Sequence, residues 1–91
     1  MTLPTNRPPT HPGEMLLEEF LKPMGMPQTV AAKRMDMPTQ RLNELIRGKR
    51  GMTADTAIRL AKLFGTTAEI WMDLQSRWDL WHAMRRLEKA S

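Results

Sequence analysis

Residues 28–48 of the chain decide its fold: Gln28-Thr-Val-Ala-Ala-Lys-Arg-Met-Asp-Met-Pro-Thr-Gln-Arg-Leu-Asn-Glu-Leu-Ile-Arg-Gly48. The first eight residues are typical of a short helix, and Asp36-Met-Pro38 is typical of a tight turn. A second short helix follows from Thr39 and ends before the glycine. Two short helices joined in this way form a helix-turn-helix. Polar and basic residues begin the second helix, as they do where such a helix enters the major groove of DNA.

The residue types in this stretch suit the geometry of the motif. Ala32 is small where the first helix crosses the second closely, and Leu42 can fill the angle between the two helices. The turn needs a residue that tolerates a positive φ, and Asp36 adopts that region more readily than most non-glycine residues. Thr39 and Gln40 then begin the second helix, where base edges would be reached.

The composition is that of one small soluble domain. Ninety-one residues bury a modest core, so dimerisation is a reasonable source of further stability. Cysteine is absent, which excludes disulfides and thiolate metal sites, and His11 and His82 offer no metal-binding spacing. No apolar run approaches the roughly 20 residues that span a bilayer, and the N-terminus lacks a signal-peptide segment. We expect a cytoplasmic protein with no metal, no cofactor, no membrane contact and no small-molecule substrate.

Charge is distributed unevenly along the chain. The formal net charge is +4, and residues 33–62 carry eight basic and three acidic side chains, a net charge of +5. Residues 1–20 carry Arg7 and three glutamates, a net charge of −2. A basic centre suits contact with phosphates. A solvated, salt-bridged helical surface would show the same composition, so charge alone leaves both interpretations open.

Prolines, glycines and capping residues divide the chain into a tail and five helices. Residues 1–10 hold three prolines and no periodicity, which predicts a flexible tail, and residues 11–91 form a single domain. Helix 1 ends near Gly25, and Thr53 and Gly65 suit the N-cap and the end of helix 4. The fold class is all-α, because no segment alternates with period two for long enough to form a strand.

Apolar residues at helical spacing define the inward face of each of the first four helices. The helix-turn-helix itself occupies about residues 28–47. The predicted inward residues are Leu16, Leu17, Phe20, Leu21 and Met24 in helix 1; Val30, Ala31 and Met35 in helix 2; Leu42, Leu45 and Ile46 in helix 3; and Ala57, Leu60, Ala61 and Phe64 in helix 4.

A long fifth helix is predicted over about residues 67–88. Thr66-Thr-Ala-Glu69 fits a capping box with Thr66 as the N-cap, and residues 70–88 contain no proline or glycine. Ile70 and Leu74 would pack on the other helices, whereas the later turns extend past so small a core and need a second surface. We predict that two copies of the chain form a two-fold dimer through this helix. The alternative is that a different protein binds the same apolar surface. The predicted dimerisation residues are Trp71, Leu74, Trp78 and Trp81.

Four segments of the chain carry a family resemblance. They are His11-Pro-Gly-Glu, Glu18-Glu-Phe-Leu-Lys-Pro-Met-Gly25, the run from Arg41 to Ala57, and the run from Arg59 to Gln75. On these residues the sequence resembles the lambda-repressor-like helix-turn-helix superfamily and, more closely, the HigA (VapI-like) antitoxins of toxin–antitoxin modules. The resemblance covers about residues 11–82. The chain departs from the family pattern at Pro27, where a Ser cap is common, at Asp36 in place of the turn glycine, and at Ala31 in place of a common Leu.

The resemblance implies a fold and a set of DNA-binding residues. The fold would be a five-helix lambda-repressor-like domain with a long C-terminal helix. Gln28 would meet a phosphate or a base edge, and Glu44 would accept from cytosine or would instead orient a neighbouring arginine. The exposed face of the reading helix would be formed by Thr39, Gln40, Arg41, Asn43 and Glu44. Phosphates would be bound by Arg47, Lys49 and Arg50.

The resemblance also implies a function. The chain would be a dimeric autorepressor that binds operator DNA and neutralises a HigB-type toxin, an mRNA endonuclease encoded next to it. The acidic N-terminal third would contribute to toxin binding, because a nuclease that binds RNA should be basic. A stand-alone transcription regulator without a toxin is the alternative. An enzyme is disfavoured, since Glu18 and Glu19 lack the accompanying nucleophile, second acid–base set or phosphate loop that catalysis would need.

Overall fold

The computed structural model describes residues 8–90, which form five α-helices and no strand. The predicted all-α class is therefore confirmed. Residues 8–10 have no secondary structure, and residues 1–7 of the predicted tail lie outside the described part. Helix α1 (residues 12–24) consists of three consecutive segments, Pro12–Leu16, Leu17–Leu21 and Lys22–Met24, and is followed by α2 (Gln28–Arg34), α3 (Thr39–Ile46), α4 (Ala54–Phe64) and α5 (Ala68–Ala90).

The helix ends follow the local signals in the sequence. Gly25 and Gly65 end α1 and α4 in the left-handed conformation that glycine adopts without steric cost. Asp36 takes the same role after α2, with a φ of 54°, as the sequence predicts. The N–H of Met37 closes that turn by donating to the Ala32 carbonyl at 3.0 Å. Thr53 caps α4 by accepting from the Thr56 N–H. Local chemistry therefore sets where these helices stop.

One turn of α1 is wider than an α-helix. Residues Leu17–Leu21 form a π-helical turn, and the N–H of Lys22 donates to the carbonyl of Leu17. Pro23 follows directly, and its ring would clash with the carbonyl four residues earlier in a regular α-helix. The wider turn also rotates the residues after it about the helix axis. Met24 is 57% exposed as a result, which corrects its predicted inward position.

The core lies where α1, α2, α3, α4 and the start of α5 meet. Helices α1 and α3 approach each other so closely that a Cβ at position 13 would overlap the carbonyl group of Leu45. This position therefore requires Gly13. Trp71 is 1% exposed and packs on Phe20 with ring centroids 5.3 Å apart. The buried apolar residues are Leu16, Leu21, Ala31, Ala32, Met35, Leu42, Leu45, Met52, Ala57, Leu60 and Trp71.

Besides Met24, two further residues that were predicted to face inward are exposed to solvent. Val30 is 38% exposed and Ile70 is 47% exposed. In α2, the buried face centres on Ala31, Ala32 and Met35, so that Val30 lies to one side of it. In α5, Trp71 takes the core position that the sequence analysis gave to Ile70.

The cap of α5 differs from the predicted one by a residue. Thr67, and not Thr66, accepts from a helical N–H, that of Ile70, at 3.3 Å. The hydroxyl of Thr66 instead accepts from the indole N–H of Trp71 at 2.8 Å. A buried indole needs such an acceptor, and this requirement decides which threonine caps the helix.

Candidate nucleic-acid interface

Helix α3 turns one face to the core and the other to solvent. Leu42 and Leu45 are buried at 0% and 2% exposure, which fixes the rotation of this eight-residue helix. Thr39 and Gln40, at its start, are exposed. Asn43 and Glu44 are half-buried at the edge of the same face. The structure therefore presents four of the five predicted reading residues on one surface of α3.

A hydrogen bond joins the start of α2 to the middle of α3. The side-chain amide of Asn43 donates to Gln28 Oε1 at 3.0 Å. Both residues were predicted to contact DNA, and the structure brings them together across the motif. Each amide keeps further donor and acceptor capacity, because an Asn or Gln side chain offers two N–H groups and one oxygen. The pair can hold the orientation of either amide toward a phosphate or a base edge.

Glu44 is paired with an arginine of the following loop. Its Oε2 lies 3.4 Å from Arg50 Nη2, and both side chains are substantially exposed. This geometry matches the second of the two roles considered from the sequence, in which Glu44 orients a neighbouring arginine. An exposed pair of this kind stabilises the fold by only about 0–1 kcal/mol. Its consequence is geometric, since it holds the Arg50 guanidinium close to α3.

The other predicted contact residues lie around this surface. Arg41 is half-buried, and its Nε is buried without a hydrogen-bond partner among the described residues. Arg47 and Lys49 are exposed at the end of α3 and in the loop that follows. Gly48 allows the reversal of the chain there, with a φ of 74°. The loop therefore places its cations next to the reading helix.

Arg59 belongs to the basic centre of the sequence but serves the turn of the motif. Its Nη1 donates to the carbonyls of Met35 at 2.6 Å and Asp36 at 3.2 Å, and its Nε donates to Asp55 at 2.9 Å. It thereby satisfies carbonyl groups at the C-terminal end of α2. In the sequence, Arg59 stands out only as one of the eight basic residues between positions 33 and 62. The spacing of Asp55 and Arg59 on one helix was the available signal, and it indicated the ion pair but not the bonds to the turn.

The tryptophan stripe of α5 divides between the protomer's own core and its surface. Trp71 is 1% exposed and packs in the core of the protomer itself, and its role in dimerisation stays a prediction. Leu74 is partly buried against the same core. Trp78 packs edge-on against His11, with ring centroids 4.9 Å apart. Trp81 is half-buried further along the helix, beside His82.

His11 caps α1 beneath this helix. Its Nδ1 accepts from the Gly13 N–H at 2.9 Å, which requires the neutral ring, and the residue is 6% exposed. Burial lowers the pKa of His11 below 6.5. Asp79 and Glu14 act in the opposite direction on this pKa, and His82 adds to the lowering. His11 therefore caps the start of α1 with a neutral imidazole ring.

Residues 8–90 contain no cluster of three or more His, Asp or Glu side chains that could hold a metal ion. Over the same residues, no helix is both long enough and apolar enough to cross a membrane.

Comparison with known proteins places this helix-turn-helix in a family. The helix-turn-helix family model matches residues 17–71. Virulence-associated protein I of Dichelobacter nodosus is 45% identical over 83 residues, 88% of this chain and 77% of that protein. Antitoxin HigA-1 of Vibrio cholerae is 39% identical over 85 residues, 93% of this chain and 80% of that protein.

A solved structure agrees with these relatives. The antitoxin HigA of Pseudomonas aeruginosa, determined with the higBA promoter, has a TM-score of 0.85 and 38% identity, covering 90% of this chain and 89% of that one. The chain therefore belongs to the helix-turn-helix family, in the group that contains the HigA antitoxins and the VapI-like virulence-associated proteins.

Proposed function

We propose that this chain is the antitoxin of a type II toxin–antitoxin module. It binds the operator of its own operon as a homodimer and represses transcription, and it neutralises a HigB-type mRNA endonuclease. The observation that carries the proposal is the exposed polar face of α3 beside a cationic loop, in a chain of the HigA group. The relative from P. aeruginosa was solved with a promoter, which supports DNA binding by this chain.

DNA recognition is assigned to two sets of residues. Gln40 and Arg41 are the candidate readers of bases, because Gln pairs with adenine and Arg with guanine in the major groove. Thr39 and the joined pair of Gln28 and Asn43 flank them. Arg47, Lys49 and Arg50 bind phosphates, and Glu44 orients Arg50. Phosphate contacts fix the register of the helix on the duplex, and base contacts select the sequence.

Dimerisation is assigned to the second half of α5. Leu80, Met84 and Leu87 are 42%, 47% and 71% exposed, and the half-buried Trp81 lies between them in sequence. A two-fold contact would cover this apolar surface, and it would place two copies of α3 in successive major grooves about 34 Å apart.

The dimer is tested by replacing Met84 and Leu87 with Gln and measuring the mass in solution. The double variant should shift from dimer toward the 10.5 kDa monomer. Lys89→Gln is the matched control, because Lys89 lies on the opposite side of the same helix at 100° per residue. A double variant as dimeric as the control would refute this interface.

Toxin binding is assigned to the acidic side of the protein. Glu14, Glu18 and Glu19 are exposed on α1, in contrast to the basic residues around α3. A basic ribonuclease would be attracted to α1 and kept away from the DNA-binding side. Replacing the three glutamates with Gln should weaken toxin binding and leave operator binding unchanged. Equal toxin affinity in the variant would refute the assignment.

Expression with the adjacent gene tests the function as a whole. The neighbour's product alone should arrest growth and cleave mRNA, and co-expression of this chain should restore growth. The chain should also retard a duplex from upstream of its own gene. Retardation without a toxic neighbour would support the stand-alone regulator instead, and the absence of both effects would refute both functions.

A further inference from the structure

We infer that Gln75, on α5, positions the basic loop between α3 and α4 and thereby sets the affinity of the protein for DNA phosphates. The inference rests on the proposed DNA binding and adds to it a residue that lies outside the helix-turn-helix. Gln75 is half-buried on the long C-terminal helix, 23 residues after its loop partner, Met52. No motif in the sequence singles out Gln75.

Helix α3 holds the near end of this loop. The Gly48 N–H donates to the Leu45 carbonyl at 3.1 Å, and the Lys49 N–H donates to the Glu44 carbonyl at 2.9 Å. These bonds fix the backbone only up to Lys49. The chain then has to run through Arg50 and Gly51 before α4 begins.

Gln75 holds the far end of the loop. The Met52 N–H donates to Gln75 Oε1 at 2.6 Å, and the Met52 side chain is 5% exposed. Gly51 lies directly against the same amide, since a Cβ on Gly51 would come within 3.2 Å of Gln75 Cδ and Oε1. The loop thus leaves α3, passes through Lys49 and Arg50, and then contacts the Gln75 side chain of α5.

Asp79 fixes which end of the Gln75 amide faces the loop. Gln75 Nε2 donates to Asp79 Oδ1 at 2.8 Å, one turn further along α5. With the NH2 group engaged there, the carbonyl oxygen is directed to the Met52 N–H. A free amide could rotate and present its NH2 group to that N–H, which would repel it.

The held loop matters for DNA because its cations must be ordered when they bind phosphates. A loop that is already ordered in the free protein loses less conformational entropy on binding. Phosphate contacts carry no sequence information, so loosening the loop should weaken binding to every sequence alike. Loss of a base reader should instead weaken binding mainly to the preferred sequence.

A matched pair of substitutions tests the inference in the full-length protein. Asp79→Ala and Asp79→Asn both remove one negative charge, but only Asn keeps an oxygen that accepts from Gln75. Gln75→Met is the direct variant, because it keeps the side-chain length and removes the acceptor. The probes are a mixed-sequence duplex a few turns long and the region upstream of the gene. Amide hydrogen exchange at Met52 and Arg50 reports on the loop without DNA.

For Gln75→Met and Asp79→Ala we expect faster exchange in the loop and a rise in Kd of about three- to tenfold on both duplexes. Asp79→Asn should bind at least as tightly as the unsubstituted protein. A Kd for Gln75→Met within twofold of the unsubstituted protein would overturn the inference, and so would equal binding by Asp79→Ala and Asp79→Asn. If the unsubstituted protein binds neither duplex, the proposed DNA binding itself fails, and that failure is visible without any variant.

Discussion

Arg59 offers the sharpest test of how the turn of the motif is held. In Arg59→Met the aliphatic part of the side chain remains, but the guanidinium is lost. The variant therefore removes the bonds to the carbonyls of Met35 and Asp36 and the ion pair with Asp55. We expect it to unfold more easily and to bind DNA less tightly, because the turn sets the angle between α2 and α3.

The expected loss in the free energy of unfolding of Arg59→Met follows from the lengths and the exposure of these bonds. A hydrogen bond from a charged donor contributes about 1.5–3 kcal/mol when it is well shielded from water. The bond to Met35 is short and half-buried, whereas the bond to Asp36 is longer and exposed, so water can replace part of the second. The exposed ion pair adds about 0.3–0.5 kcal/mol. We therefore expect a loss of about 2 kcal/mol in the free energy of unfolding, which corresponds to about 8–16 °C in Tm for a domain of this size.

The assay is thermal and urea unfolding followed by circular dichroism, with Asp55→Asn as the matched control. Asp55→Asn removes the ion pair and leaves the bonds from Arg59 to the turn, so it should cost no more than about 0.5 kcal/mol. If Arg59→Met lowers the free energy of unfolding by no more than Asp55→Asn does, the bonds to the turn carbonyls do not contribute to stability. That result would refute the reasoning.

Three further predictions concern the turn, the cap of α1 and the reading helix. Asp36→Gly should raise the free energy of unfolding by about 0.5–1 kcal/mol, because glycine adopts the positive φ without strain; Asp36→Asn, which keeps the Cβ, should gain less in the same urea titration. Because the fold lowers the pKa of His11, the imidazole is protonated more readily in the unfolded chain than in the folded one. The free energy of unfolding should therefore fall as the pH drops below about 6.5. His11→Asn keeps a cap acceptor that does not titrate, so its unfolding should depend less on pH in that window; equal pH dependence would contradict the assignment. Arg41→Ala should weaken operator binding by about 1–3 kcal/mol and leave dimerisation intact, and unchanged affinity in a gel-shift titration would remove Arg41 from the readers.

The positions of the helices could be predicted because their ends depend on neighbouring residues alone. A Thr before a helix or an Asp in a tight turn acts through bonds that span only a few residues. The prediction was wrong where two adjacent residues could both cap the same helix. The capping box with Glu69 favours Thr66, but the hydroxyl of Thr66 accepts from the indole of Trp71, and Thr67 caps the helix instead. Tertiary contacts of this kind leave no local signal.

The rotation of a helix was harder to predict than its position. Apolar spacing defines a stripe, but a short helix such as α2 has too few turns to fix the centre of that stripe, and Val30 was placed wrongly. In α1 the π-helical turn shifts every later residue, which moved Met24 to the surface. At the interface, the exposure of Gln40 followed from the motif. The use of Arg59 and Gln75 did not, because each acts on backbone 23 or 24 residues away.

The length of helix α5 explains why the residues of its apolar stripe differ in burial. Its first half must complete the core of a small domain, and Trp71 does so with almost no exposed surface. Its second half continues past that core, where Leu87 remains 71% exposed. A 23-residue helix is longer than one small domain can cover on its own. The same spacing therefore continues from buried residues to exposed ones, and only the position of the core along the helix separates the two.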